Sequence, residues 1–187
     1  MAQTTSNVSA AKPATGGAVS VGATSATLPT STTATLTGFT SLGYISDDGL
    51  TNETPIETDD IVAWGGDVVL SPVTSKKDTF SMTFIEVLNV DVLKEVYGAA
   101  NVSGTLSTGI SVSVNSSELS ERAWVIDMVM RNNVAKRVVI PKGKITTIDE
   151  IPYRDSEESG YSVTITAFPD SSGNTHYEYI KAAASSN

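Results

Sequence analysis

Four stretches of the chain alternate apolar and polar residues with a period of two, and this alternation restricts the fold more than any other feature. FSMTF places Phe80, Met82 and Phe84 on one side, and WVIDMVM does the same with Trp124, Ile126, Met128 and Met130. GYSVTITA aligns Tyr161, Val163, Ile165 and Ala167, and ISVSV aligns Ile110, Val112 and Val114. Successive side chains of a strand point to opposite faces, so each set marks a buried face of a sheet. Residues that tolerate positive φ separate the runs. Asp48-Gly49 and Asn132-Asn133 read as tight turns, and PDSSGN at 169–174 as a longer loop, so hairpins are the expected connections.

One segment departs from this period. In NVDVLKEVYG, Asn89 can cap, Asp91 suits the first turn, Leu93, Val96 and Tyr97 share a face, and Gly98 can terminate, which predicts a short amphipathic helix. The expected fold is mainly β, a β-sandwich or open barrel with one short flanking α-helix.

A chain of 187 residues with 40% hydrophobic content can bury one core without covalent staples. It has no cysteine, which excludes disulfide and thiol chemistry. No apolar run approaches the roughly 20 residues of a membrane helix. The start, MAQTTSNVSAAKPATGG, lacks the basic and apolar blocks of a secretory signal, so no processing and no membrane association are expected. The net charge of −9 argues against sequence-specific DNA binding, because an acidic surface repels phosphates.

Residues 2–35 carry Lys12 as their one charged side chain and no aromatic, in a background of Ser, Thr, Ala and Gly. Such a segment buries too little apolar surface to order by itself. The expected organisation is therefore a flexible or extended arm over residues 1–35, a folded domain over 36–180, and a short tail over 181–187.

Few constellations can carry catalysis. The one histidine, His176, is expected on the surface of a terminal strand, and no phosphate-cradling loop, His-x-x-x-His pair or thiolate set is present. The carboxylates Asp47, Asp48, Glu53, Glu57, Asp59 and Asp60, with Asp155, Glu157 and Glu158, match no EF-hand and read as solvated loops. No catalytic residue, metal site or cofactor is expected.

The stretch TDDIVAWGGDVVL is harder to place. Residues 47–67 hold seven acids and no lysine or arginine, too polar for a core, yet Trp64 stands there beside Gly65-Gly66. The tryptophan either anchors a contact with another copy, with the glycines permitting close backbone approach, or covers the edge of its own core.

Five segments, GYISDDGLT, IVAWGGDVV, IEVLNVDVLKEVYG, RAWVIDMVMRNNVAKRVVIPKGKIT and ITAFPD, in this order and spacing over residues 38–170, resemble the major tail protein (tail tube protein) of long-tailed bacteriophages. The resemblance implies subunits closed into hexameric rings and rings stacked into a hollow tube in the virion tail. Each subunit would lend hairpins to a continuous barrel around the lumen. It implies partners: further copies of the chain, a tape-measure protein, and tail-tip or baseplate and terminator proteins. DNA would pass through the lumen without specific binding, and synthesis would take place in the host cytoplasm. The chain leaves no room for the additional C-terminal immunoglobulin-like domain of some relatives. The resemblance also favours the intersubunit reading of Asp59, Asp60, Trp64, Gly65 and Gly66, on the family's long loop. The rival readings are a monomeric carbohydrate-binding or adhesive β-sandwich and a carboxylate-dependent hydrolase, for which nothing in the spacing selects a pair of acids.

Overall fold

The computed structural model describes residues 4–156 and 158–182. In chain order the first strands are β1 (Ala11–Pro13), β2 (Val19–Gly22), β3 (Phe39–Ser41) and β4 (Ile45–Glu53). An excursion follows, comprising β5 (Ile56–Thr58), β6 (Ile61–Val62), β7 (Val68–Leu70) and β8 (Val73–Lys76). The chain then returns through β9 (Asp78–Phe84), helix α1 (Val90–Tyr97), β10 (Val102–Thr105) and β11 (Gly109–Val112). It finishes with β12 (Arg122–Met130), β13 (Val134–Ile148), β14 (Tyr161–Ala167) and β15 (Tyr177–Lys181).

Nine strands form one antiparallel sheet in the order β3-β2-β12-β13-β14-β9-β4, with β1 paired to β12 and β15 to β13. β13 is its spine. Val134 to Ile140 face β12, Gly143 to Ile148 face β14, and Ala135 to Val139 face β15, so β14 and β15 lie end to end along one side. The sheet does not close. Residues 11–18 and 43–50 line a groove of about 1040 Å³ with Ile126 and Met128. The fold is thus mainly β with one α-helix and an open sheet, as the alternation implies.

The alternating sets of β9, β12 and β14 supply much of the core, although Met130 lies outside it. Phe80, Phe84, Trp124, Ile126, Val163 and Ile165 are all within 1% of complete burial. Gly143 makes room for the largest of them. A Cβ there would sit 2.7 Å from Trp124 Cδ1 and 2.8 Å from Ile165 Cγ2, and the indole Nε1 donates to the Gly143 carbonyl at 3.1 Å. Helix α1 starts where expected, with the Asn89 side chain accepting from Asp91 N and Gly98 at φ 92 ending it. It packs Val92, Leu93 and Val96 into the core, and Tyr97 meets Tyr161 edge-on. Asn132 and Asn133 both adopt φ 58 and turn the chain from β12 into β13.

Three expectations change. Asp48-Gly49 is not a hairpin turn: it lies inside β4, where the register jumps from Ile45↔Phe84 to Leu50↔Met82. Gly49, at φ 75, supplies the positive φ of a bulge, a need that looks identical to a turn in the sequence. Val114 lies beyond β11 and is exposed, whereas Ile110 and Val112 pack partly against the core.

The third change concerns the N-terminal segment. The sheet does not begin near Leu36, because β2 pairs with β12 and buries Ala18, Val19 and Val21. β1 also lies against β12, with Lys12 opposite Val129. Residues 31–34 are held by Arg137, which is 6% exposed and donates to the carbonyls of Ser31 and Ala34 at 2.9 and 2.7 Å. The same guanidinium makes a bidentate pair with Asp127 at 2.6 and 2.9 Å. A Ser/Thr/Ala-rich segment with little apolar surface is ordered here through its main chain, by ladder pairing and by a buried cation. Of the expected C-terminal tail, Lys181 ends β15, and residues 183–187 lie outside the described part of the chain.

Candidate assembly surface

β4 and β9 run side by side to Glu53 and Thr79, and there the chain leaves the sheet. Between them β5 pairs with β8 and β6 with β7, giving a two-stranded ribbon. Lys77 N donates to Pro55 O at 3.2 Å near its base and Asp59 N to Pro72 O at 3.1 Å further out. Ala63 N closes the tip onto Asp67 O at 2.8 Å. Gly65 and Gly66, at φ 126 and 101, turn the chain at this tip, and nothing in the subunit lies within 4 Å of where their Cβ atoms would be. Their local reason is the turn itself.

The ribbon touches no core. From Thr51 to Lys77 every residue is exposed except Ala63, which is half-buried. Trp64 is fully exposed at 107%, which removes the alternative that it covers its own subunit's core edge; the core tryptophan is Trp124. Ile56, Ile61, Val62, Val68, Val69, Leu70 and Val73 are exposed beside it. A lone ribbon is marginally stable in water, and so many exposed apolar side chains on one make it a candidate interaction surface. Asp59 and Asp60 share the ribbon with Trp64, and Asp60 Oδ1 accepts from Ser71 Oγ at 2.5 Å across it. Glu57 also lies on it, Asp47 and Asp48 lie in β4, and Asp155 and Glu158 lie in the loop before β14; Glu157 is outside the described residues.

The base of the ribbon holds a group that sequence reasoning missed. Asp78, the first residue of β9, is 1% exposed. Its Oδ1 accepts from Asn52 Nδ2 at 2.8 Å and Thr54 Oγ1 at 3.3 Å. Its Oδ2 accepts from Thr175 Oγ1 at 2.6 Å and meets His176 Nδ1 at 2.6 Å. An ionised carboxylate can only accept, so Nδ1 carries the proton. Phe80 stacks edge-on against the imidazole with centroids 5.3 Å apart. His176 is therefore no free surface histidine: it clips the start of β15 to the root of the ribbon. The one visible signal was an aspartate directly before an apolar strand.

Burial alone would raise the Asp78 pKa, but hydrogen bonds from Thr175, His176 and Asn52 outweigh it and hold the carboxyl below its ordinary value of 3.8. A carboxyl depressed in the folded state stabilises the fold above its unfolded pKa, and that contribution disappears as pH falls through the folded value. Asp78→Asn is expected to lose stability at pH 7 and to respond less steeply than the parent to acidification below about pH 4. Denaturant unfolding of the monomer between pH 3 and 7 measures this, and parallel stability–pH curves for the two proteins would remove Asp78 from the account.

Burial pushes the Glu95 carboxyl up, and Arg122 at 3.1 Å pairs with it to join α1 to β12. Among the described residues no group of three or more His, Cys, Asp and Glu could hold a metal, and no helix is long and apolar enough to cross a membrane.

An exposed apolar ribbon on an open sheet is a candidate assembly surface, and comparison with known families gives it a context. A family model described as phage tail tube protein matches residues 2–187. The chain belongs to that family. A search of curated proteins returned no match. Membership makes it a structural component of the virion tail that self-assembles into a tube with other tail proteins. The match also takes in the N-terminal segment that the sequence resemblance left out, in keeping with β2 as part of the sheet.

Proposed function

We propose that this tail tube protein closes into six-membered rings which stack into a hollow conduit for DNA delivery into the host. The ribbon from Thr54 to Lys77 carries the reading: its apolar residues pair only across the ribbon and stay exposed, and Trp64 at its tip would anchor the contact with a neighbouring copy. Asp59, Asp60, Gly65 and Gly66 belong to the same contact. The main sheet ends in β3 and β4, and pairing between subunits would cover such edges and complete the wall around the lumen. Tape-measure, tail-tip and terminator proteins would set the length and the ends of the tube. The acidic excess would leave the lumen net negative, so that phosphates pass without being gripped.

Negative-stain electron microscopy of the concentrated protein, alone and with tail-tip complex and tape measure, tests the proposal. Rings and tubes with six-fold symmetry are the expected result. A protein that stayed monomeric under all of these conditions would sink it, and would return the exposed tryptophan to a glycan-binding or adhesive role.

A further inference from the structure

The ribbon leaves the sheet on two legs, the ends of β4 and β9, and its residues stay exposed beyond them. Two strands side by side can bend at their root like a hinge. The lever is long: from Thr54 to Trp64 the chain spans roughly 30 Å at about 3.3 Å per residue, so a bend of about 10° carries the tip through about 5 Å. Asn52 Nδ2 donates to Thr79 O at 3.0 Å and Thr79 Oγ1 to Glu53 O at 3.3 Å. These bonds hold the legs to each other, which leaves the bend itself free.

A third point of attachment fixes an angle. Among the described residues, Asp78 supplies the side-chain bonds that tie this root to a third segment. Its Oδ1 accepts from Asn52 and Thr54 at the start of the ribbon, and its Oδ2 accepts from Thr175 and His176. Those two residues lead into β15, which β13 holds over Ala135 to Val139. One buried carboxylate therefore joins both legs to the spine of the sheet. β15 itself adds nothing to the core: none of its residues belongs to the buried cluster, and Ile180 and Lys181 are exposed. A buried ion is a costly way to fill space, but four donors converging on two oxygens fix an orientation that apolar packing would leave loose.

We infer that Asp78, Thr175 and His176 form a hinge lock, which holds the ribbon at one angle to the sheet and presents Trp64 to a neighbouring copy already in its bound pose. A surface held in its bound pose loses less freedom on association, so the lock favours assembly without adding a contact. Asp78 and His176 are positioning residues that act through the ribbon. The C-terminal strand thereby governs a contact made at the ribbon's far end. The inference rests on the tube reading for what the ribbon meets, and not for the lock itself.

The chain has no cysteine, so Thr58→Cys on the ribbon and Thr147→Cys on β13, both exposed, give one pair of spin-label sites. Double electron–electron resonance on the monomeric parent is expected to show a single narrow distance distribution. Thr175→Val with His176→Phe keeps the shapes and removes both donors to Oδ2. It is expected to broaden the distribution about twofold or more and to raise the critical concentration for assembly about tenfold or more. His176→Asn puts an amide nitrogen where Nδ1 stands, and is expected to keep both readouts near the parent's. If the double variant fails to fold, His176→Phe alone gives the same comparison. A group that only stabilised the fold would lower the unfolding midpoint and leave the folded distances as narrow as before, and that result overturns the inference. So does a broad distribution in the parent, or a broadened variant that assembles at the parent's concentration. If the parent forms no assembly, the tube reading falls and the effect on assembly with it, whereas narrow parental distances that the variant broadens would still establish the lock.

Discussion

Replacing Trp64 with alanine is expected to leave the unfolding midpoint of the subunit unchanged and to weaken assembly by about 2 kcal/mol or more, roughly thirtyfold in the association constant. The indole is fully exposed at the tip of a ribbon that makes no contact with the core, so the folded monomer loses no packing when it is removed. Interface energetics concentrate in a few large side chains that become desolvated on contact, and tryptophan is prominent among them. Light scattering against protein concentration gives the critical concentration, and denaturant unfolding of the same sample gives the midpoint. A Trp64→Ala chain that lost its cooperative fold before assembly would place the tryptophan in the core and remove the anchor from the interface.

The second tryptophan is expected to behave in the opposite way. Trp124→Ala removes a ring that is 1% exposed at the centre of the sheet, against a glycine whose missing Cβ makes room for it. Truncating a buried tryptophan costs about 3–5 kcal/mol through lost transfer energy and the cavity left behind. The Gly143 carbonyl also loses the indole donor. Against a typical domain stability of about 5–15 kcal/mol, the expected outcome is a subunit close to its unfolding threshold, with a denaturant midpoint far below the parent's. A loss below about 1 kcal/mol would mean that the core can collapse around the gap. The pair of substitutions separates the two roles expected of one residue type in one chain: Trp64 between molecules and Trp124 within one.

Much of the fold was legible in advance, and the legible part was local. The faces carried by Phe80, Trp124 and Tyr161 follow from a period of two, and the bounds of α1 follow from Asn89 and Gly98, each readable within a window of ten residues. β2 was not legible, because Val19 and Val21 alone make a weak alternation and their burial depends on β12, about a hundred residues further on. The cluster at the ribbon's base was hidden for the same reason: Asp78 meets His176 across a separation of 98 residues. Aspartate at a strand's start and histidine near a chain's end each look like surface residues until the sheet brings them together.

Composition by itself showed that residues 47–67 could not form a core, since seven acids without a lysine or arginine cannot be buried. It did not show that the apolar residues among and after them would also stay in water. That was decided by β4 and β9, which pair up to Glu53 and Thr79 and then release the chain beyond the last strand that could cover it. Alternation and capping are properties of neighbours in sequence, so the sequence alone determined which residues face a core and where one helix begins and ends. Which surfaces remain without a partner depends on where distant strands stop, and only the tertiary structure decided that.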